Sequence, residues 1–130
     1  MSKKIVIDSG HGGEDGGASG NGIIEKDLTL KISKYMKQRF DELGIPNQMT
    51  RTEDVTLNPT DRVKKVLSFY GDGKDVIVLS NHINAGGGDY PSGKLTFFEK
   101  KIKLDSYYLN LVLLIYNYFL CLVLSIRTIF

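Results

Sequence analysis

The chain has 130 residues, of which 42% are hydrophobic and 25% charged, with a formal net charge of +2. That length suits one domain, the composition excludes intrinsic disorder, and so small a charge gives no footprint for nucleic acid. There is one cysteine, Cys121, so neither an internal disulfide nor a multi-cysteine metal site is available, and metal chemistry must rest on His, Asp or Glu.

The start, Met1-Ser2-Lys3-Lys4, is basic, but the apolar run behind it is only Ile5-Val6-Ile7. A secretory signal needs about 7–15 apolar residues there. The expectation is a protein made in the cytoplasm without a signal peptide. Lys4 to Asp8 reads as a short buried strand stopped by Ser9-Gly10. Residues 9–22 hold seven of the 14 glycines, which predicts a loop that bends sharply or lets something come close. Glu25 to Leu43 reads as a helix, with Leu28, Ile32, Tyr35, Met36 and Leu43 on one face and Gly44 at the C-cap. Pro46 to Thr52 reads as a second strand. Asn58-Pro59 is an N-cap followed by proline at the first helical position. The helix then runs to about Tyr70, burying Val63, Val66 and Leu67, and Gly71-Asp72-Gly73 ends it. Asp75 to Leu79 is a continuous apolar strand of the kind found inside a parallel sheet. The order β-α-β-α-β predicts an α/β fold: three layers, a mostly parallel sheet flanked by helices.

The chain changes character near its end. Every glycine lies at or before Gly93, and residues 1–100 are electrically neutral. Residues 101–130 carry the whole net charge and are mostly apolar or tyrosine. The expected organisation is a domain portion over 1–100 and a distinct tail over 101–130. Leu111 to Ile126 is uncharged throughout. Three readings of the tail stand side by side: a membrane segment slightly short of the ~20 residues a span needs, a substitute core helix, or read-through of out-of-frame DNA.

In α/β folds the chemistry sits beyond the carboxyl ends of the strands. The first strand delivers Asp8-Ser9-Gly10-His11 there, and the third delivers Ser80-Asn81-His82-Ile83-Asn84. Both histidines of the chain thus fall at one sheet edge. Neutral imidazole is the commonest metal ligand, and zinc accepts mixed nitrogen and oxygen donors. Glu25 opens the first helix just after the glycine loop and can turn back as a third donor, leaving a fourth position open as hydrolytic sites require. The plain alternative is two polar loop histidines. A phosphate cradle fits poorly, because the G-x-G-x-x-G pattern fails at Asp15, and Glu14 and Asp15 repel a pyrophosphate.

Three blocks carry a resemblance: Val6-Ile7-Asp8-Ser9-Gly10-His11-Gly12-Gly13, Asp15-Gly16-Gly17-Ala18 and Gly22-Ile23-Ile24-Glu25-Lys26-Asp27-Leu28. Met49-Thr50-Arg51 with Asp54, Arg62, and Ser80-Asn81-His82-Ile83-Asn84-Ala85 extend it over about the first 90 residues. Together they resemble the zinc-dependent N-acetylmuramoyl-L-alanine amidases, with Ser9 in place of the more usual proline. The resemblance implies Zn²⁺ as cofactor, His11, Glu25 and His82 as its ligands, and peptidoglycan as substrate. The bond implied is the amide between the lactyl group of N-acetylmuramic acid and L-alanine. Asn84 is a candidate for supporting the site, or else a turn-former. Arg51 and Arg62 are substrate-binding or supporting candidates, with Arg51 expected to pair with Asp54 or Glu53 and Arg62 to hold a loop.

The resemblance fades after Gly93. Leu95 to Phe98 reads as a further strand. The family's late general-base glutamate has no counterpart, since the one glutamate after Glu53 is Glu99, in an unlike context. General acid–base help is worth roughly 10²–10⁴ in rate. The expectation is therefore a zinc amidase acting on the cell wall after release or host lysis. Its alternative is an inactive fragment that binds zinc or cell wall, with membrane attachment through residues 109–130.

Overall fold

A computed structural model describes residues 2–20 and 22–83, together with the backbone of 123–127. The elements in chain order are β1 (Lys4–Ser9), β2 (Ser19–Gly20), β3 (Ile23–Ile24), α1 (Glu25–Glu42), β4 (Asn47–Met49), α2 (Pro59–Tyr70), β5 (Val76–His82) and β6 (Val123–Arg127). The main sheet has the order β4-β1-β5-β6. β1 runs parallel to both β4 and β5, with Ile7 opposite Met49 on one side and Leu79 on the other. β6 lies antiparallel on β5, and β2 and β3 form a separate hairpin.

Alternation along the strands explains the three layers. Ile5, Ile7, Ile77 and Leu79 share one apolar cluster with Ile32, Met36 and Phe40 of α1. Val6, Val76 and Val78 form another with Val66 of α2. Successive strand residues point to opposite faces, so each helix covers one face. Strands buried on both sides read as unbroken apolar runs.

Each helix buries a stripe somewhat different from the expected one. Along α1 the buried residues are Glu25, Thr29, Ile32, Ser33, Met36 and Phe40, while Tyr35 and Leu43 are exposed. The first half of this stripe is polar because it faces the strand ends. There the Thr29 hydroxyl donates to the Gly10 carbonyl, and the Ser33 hydroxyl accepts from Asn81 Nδ2. Phe40 anchors the other half, and Phe40→Ala should cost about 3–5 kcal/mol, read from the denaturant midpoint. On α2 Val66 is buried, but Val63 and Leu67 are exposed. Phe69 and Tyr70 pack beside Val66, and Arg62 bonds inward to Asp8. A charged residue thus holds a place on the inward stripe, which turns Val63 and Leu67 outward.

The helix ends follow local rules. Gly44, at φ 66°, donates to the Asp41 carbonyl, and Ile45 N–H reaches back to Phe40 O. This paired bonding is the Schellman closure, with Phe40 and Ile45 in apolar contact. At the start of α2 the Asn58 side chain accepts from Asp61 N–H at 2.9 Å. The predicted second strand is shorter than Pro46–Thr52, and the third runs on through His82.

In the tail, Val123–Arg127 is strand, so the helical reading fails for these five residues. Leu95 to Phe98, Asn84, Glu99 and the rest of 109–130 lie outside the described residues. Among the described residues no helix is long and apolar enough to cross a membrane.

Candidate metal centre

The chain leaves β1 through α1 to reach β4 on one side, then through α2 to reach β5 on the other. Strand order therefore reverses between β1 and β5, the crevice where open α/β sheets bind ligands. His11 lies just past the end of β1, and His82 ends β5. Gly10 N–H donates to Asn81 O, which locks the two strand ends in register. A Cβ on Gly10 would lie 2.6 Å from the His82 ring, so glycine is required for this approach.

Glu25 enters from the first residue of α1. The opening turn of α1 has no side-chain cap; loop carbonyls replace it, with Glu25 N–H donating to Ala18 O and Lys26 N–H to Gly16 O. The glycine-rich loop thus wraps the helix start and aims the Glu25 carboxylate at the strand ends.

The three side chains meet. His11 Nε2 lies 3.0 Å from Glu25 Oε1, His82 Nδ1 lies 3.3 Å from the same oxygen, and the two ring nitrogens are 3.2 Å apart. The rings are nearly perpendicular. Two imidazoles sharing one carboxylate oxygen are poorly served by protons alone, since protonating both nitrogens sets two cations in contact. A cation accepts all three lone pairs at once. An ion held tetrahedrally at bonds of about 2.0–2.1 Å keeps its ligand atoms about 3.3 Å apart, and the three observed separations match. Among the described residues this is the group of three or more metal-type side chains close enough to share one ion.

The surroundings hold the donors in place. Glu25 is buried, and its two oxygens accept N–H bonds from Ala18 at 2.9 Å and Ile83 at 2.9 Å. Burial pushes its pKa up, but these bonds and the neighbouring imidazoles outweigh that and leave it below the usual carboxylate range. Asp15 Oδ2 lies 2.9 Å from His11 Nδ1, and its other oxygen accepts from Gly17 N–H. The hydrogen bond with His11, then that from Gly17, lowers the Asp15 pKa.

The two arginines lie beneath the cluster rather than in it. Arg51 is 2% exposed and donates to the carbonyls of Ser9, Gly10, Lys26 and Glu53 and to the Thr29 hydroxyl. The expected side-chain pairing does not form. Asp54 instead accepts from Gly13 N–H and Lys26 Nζ, and Glu53 offers its carbonyl. Burial lowers the Arg51 pKa, which leaves so basic a group charged. Arg62 bonds the Asp8 carboxylate at 2.8 Å and the carbonyls of Ser9 and His11. Asn84 lies outside the described residues. Asp15, Ala18 and Ile83 were not among the expected site residues. Asp15 was legible as an acid four residues past His11, but the two N–H donors carry no side-chain signal.

Fold and site together define an α/β domain with a His–Glu–His donor cluster at the switch point of its parallel strands. The family described as N-acetylmuramoyl-L-alanine amidase matches residues 5–114, and the chain belongs to this family. The match reaches past Gly93, where the block-by-block likeness fades. The N-acetylmuramoyl-L-alanine amidase LytC of Bacillus subtilis is 33% identical over 76% of this chain and 19% of its own length. The endolysin of Bacillus phage SPP1 is 40% identical over 68% of this chain and 31% of its own. The crystal structure of N-acetylmuramoyl-L-alanine amidase from Clostridium difficile 630 aligns at a TM-score of 0.61 and 28% identity, covering 70% of this chain and 48% of that one. The chain thus spans less than half the length of the relatives it matches.

Proposed function

We propose that His11, Glu25 and His82 hold a zinc ion, and that the chain carries amidase chemistry toward peptidoglycan. The observation that carries this reading is the convergence of three donors at tetrahedral spacing in the switch-point crevice. Family membership supports the substrate: the amide joining the lactyl group of N-acetylmuramic acid to L-alanine. When bound, zinc supplies Lewis-acid polarisation of that carbonyl and lowers the pKa of a water toward neutrality. Hydrolysis places the water oxygen on the carbonyl carbon, breaks the C–N bond, and releases L-alanine nitrogen with a proton as a free amine.

The residues of this chain contribute holding and shaping. His82 is 41% exposed and His11 23%, so the cluster opens to solvent and to a long glycan–peptide strand. Glycines at 10, 12, 13, 16 and 17 keep side chains out of the approach. Gly17 lies so close that a Cβ would meet both the His11 ring and Glu25 Oε2. Action on the cell wall follows from this substrate.

A second reading has its own support. Among the described residues, the carboxylates bonded to the two histidines are Glu25 and Asp15, and both are already engaged. A chain without a proton-transfer carboxylate binds zinc and wall but turns over weakly. The decisive experiment incubates the zinc-loaded chain with purified peptidoglycan, with and without chelator. Chelator-sensitive release of peptides with a free L-alanine amino group is expected for the amidase. A folded, zinc-loaded chain that releases none would establish the binding fragment instead.

A further inference from the structure

We propose that Asp15 is a positioning residue for the metal centre, holding the His11 ring so that Nε2 faces the shared ion; this rests on the metal reading above. His11 is the one non-glycine residue at positive φ among the described residues, at 58°. Left-handed backbone costs a side-chain-bearing residue roughly 1–2 kcal/mol, so the ring needs contacts that favour this position. Three converge on it. Arg62 donates to the His11 carbonyl at 3.0 Å. Gly12 and Asp15 exchange main-chain hydrogen bonds at 2.8 and 3.2 Å, closing a tight turn just after His11. That turn brings Asp15 Oδ2 to 2.9 Å from His11 Nδ1, and Gly17 N–H steadies the other carboxylate oxygen at 3.1 Å.

With Nδ1–H given to Asp15, the lone pair of a neutral ring sits on Nε2, the atom 3.0 Å from Glu25 and 3.2 Å from His82. A carboxylate on the far nitrogen of a ligating histidine fixes the tautomer, orients the ring and raises its basicity. Asp15 itself is exposed, with 62% of its side chain in solvent. Its removal therefore leaves the apolar clusters intact and isolates the positioning effect.

The test compares Asp15→Ala and Asp15→Asn with the parent chain. Zinc affinity is read by competition with a chromophoric chelator, and stability by unfolding of the metal-free proteins. Asp15→Ala is expected to bind zinc about 10–100-fold more weakly with its metal-free unfolding midpoint unchanged. Asp15→Asn keeps an acceptor for Nδ1–H and should recover part of the loss. In ¹⁵N spectra of the zinc-loaded parent, His11 should show Nε2 on the metal and a slowly exchanging Nδ1–H, with that protection lost in Asp15→Ala. Equal zinc affinity in Asp15→Ala and the parent would overturn the assignment, as would an unprotected Nδ1–H in the zinc-loaded parent. A parent chain that binds no zinc would overturn the metal reading itself, and is thereby told apart from failure of the Asp15 role alone.

Discussion

His82→Ala should bind zinc more than about 100-fold more weakly than the parent chain, a larger loss than an outer-sphere partner such as Asp15 produces. Two donors remain, His11 Nε2 and Glu25 Oε1, and they are the pair already 3.0 Å apart. Two protein ligands do not complete the three-ligand set of hydrolytic zinc sites. The fold should tolerate the change, because the His82 side chain is 41% exposed and β5 is held by its main-chain ladder to β1. Thermal unfolding with and without metal checks this. Zinc at 100 times its dissociation constant adds about 2.7 kcal/mol to the stability of a protein that binds it only when folded. That increment is expected in the parent and absent in His82→Ala, with similar metal-free midpoints. A variant that keeps the increment would remove His82 from the centre.

Arg51→Met should lose about 3–5 kcal/mol of stability, from the orphaned acceptors that the guanidinium now serves. The main-chain oxygens of Ser9, Gly10 and Lys26 all lose a donor in one step. Gly10 precedes His11 and Lys26 follows Glu25, so a single planar fork ties the backbone beside two of the donors. Arg51→Lys should recover little, because one ammonium cannot span that arc of acceptors. The measurement is the denaturant midpoint at constant slope. Val63→Ala, at an exposed position on α2, should stay within about 0.5 kcal/mol and serves as the contrast. Domains of ordinary stability hold about 5–15 kcal/mol, so the Arg51 loss removes a large share of it.

Much of the candidate site was legible in the amino-acid order. The strand before His11 and the strand before His82 are both apolar runs, and α/β topology sends their ends to one edge. Glu25 was legible from its place at a helix start after a glycine loop. The Asn58 cap and the Gly44 closure were legible too, because each depends on residues within a few positions. These features are local or follow from strand order, so chain sequence alone determines them.

Other features depend on which groups meet across the fold. Arg51 was expected to find a nearby carboxylate, but Lys26 comes from α1 to take Asp54 and the main chain takes Arg51. Arg62 turns inward to Asp8, 54 positions away, and so moves the buried face of α2 off Val63 and Leu67. Thr29 and Ser33 are buried although polar, because strand ends opposite them offer Gly10 O and the Asn81 amide. The amides of Ala18 and Ile83 become ligands of Glu25 through backbone position alone. A hydrogen-bond partner is chosen by proximity in the folded state, and burial is decided by what lies opposite. The order of residues therefore determined the elements, their caps and the edge where the histidines gather. Only the tertiary structure decided the spacing of their donor atoms and which buried charges hold them there.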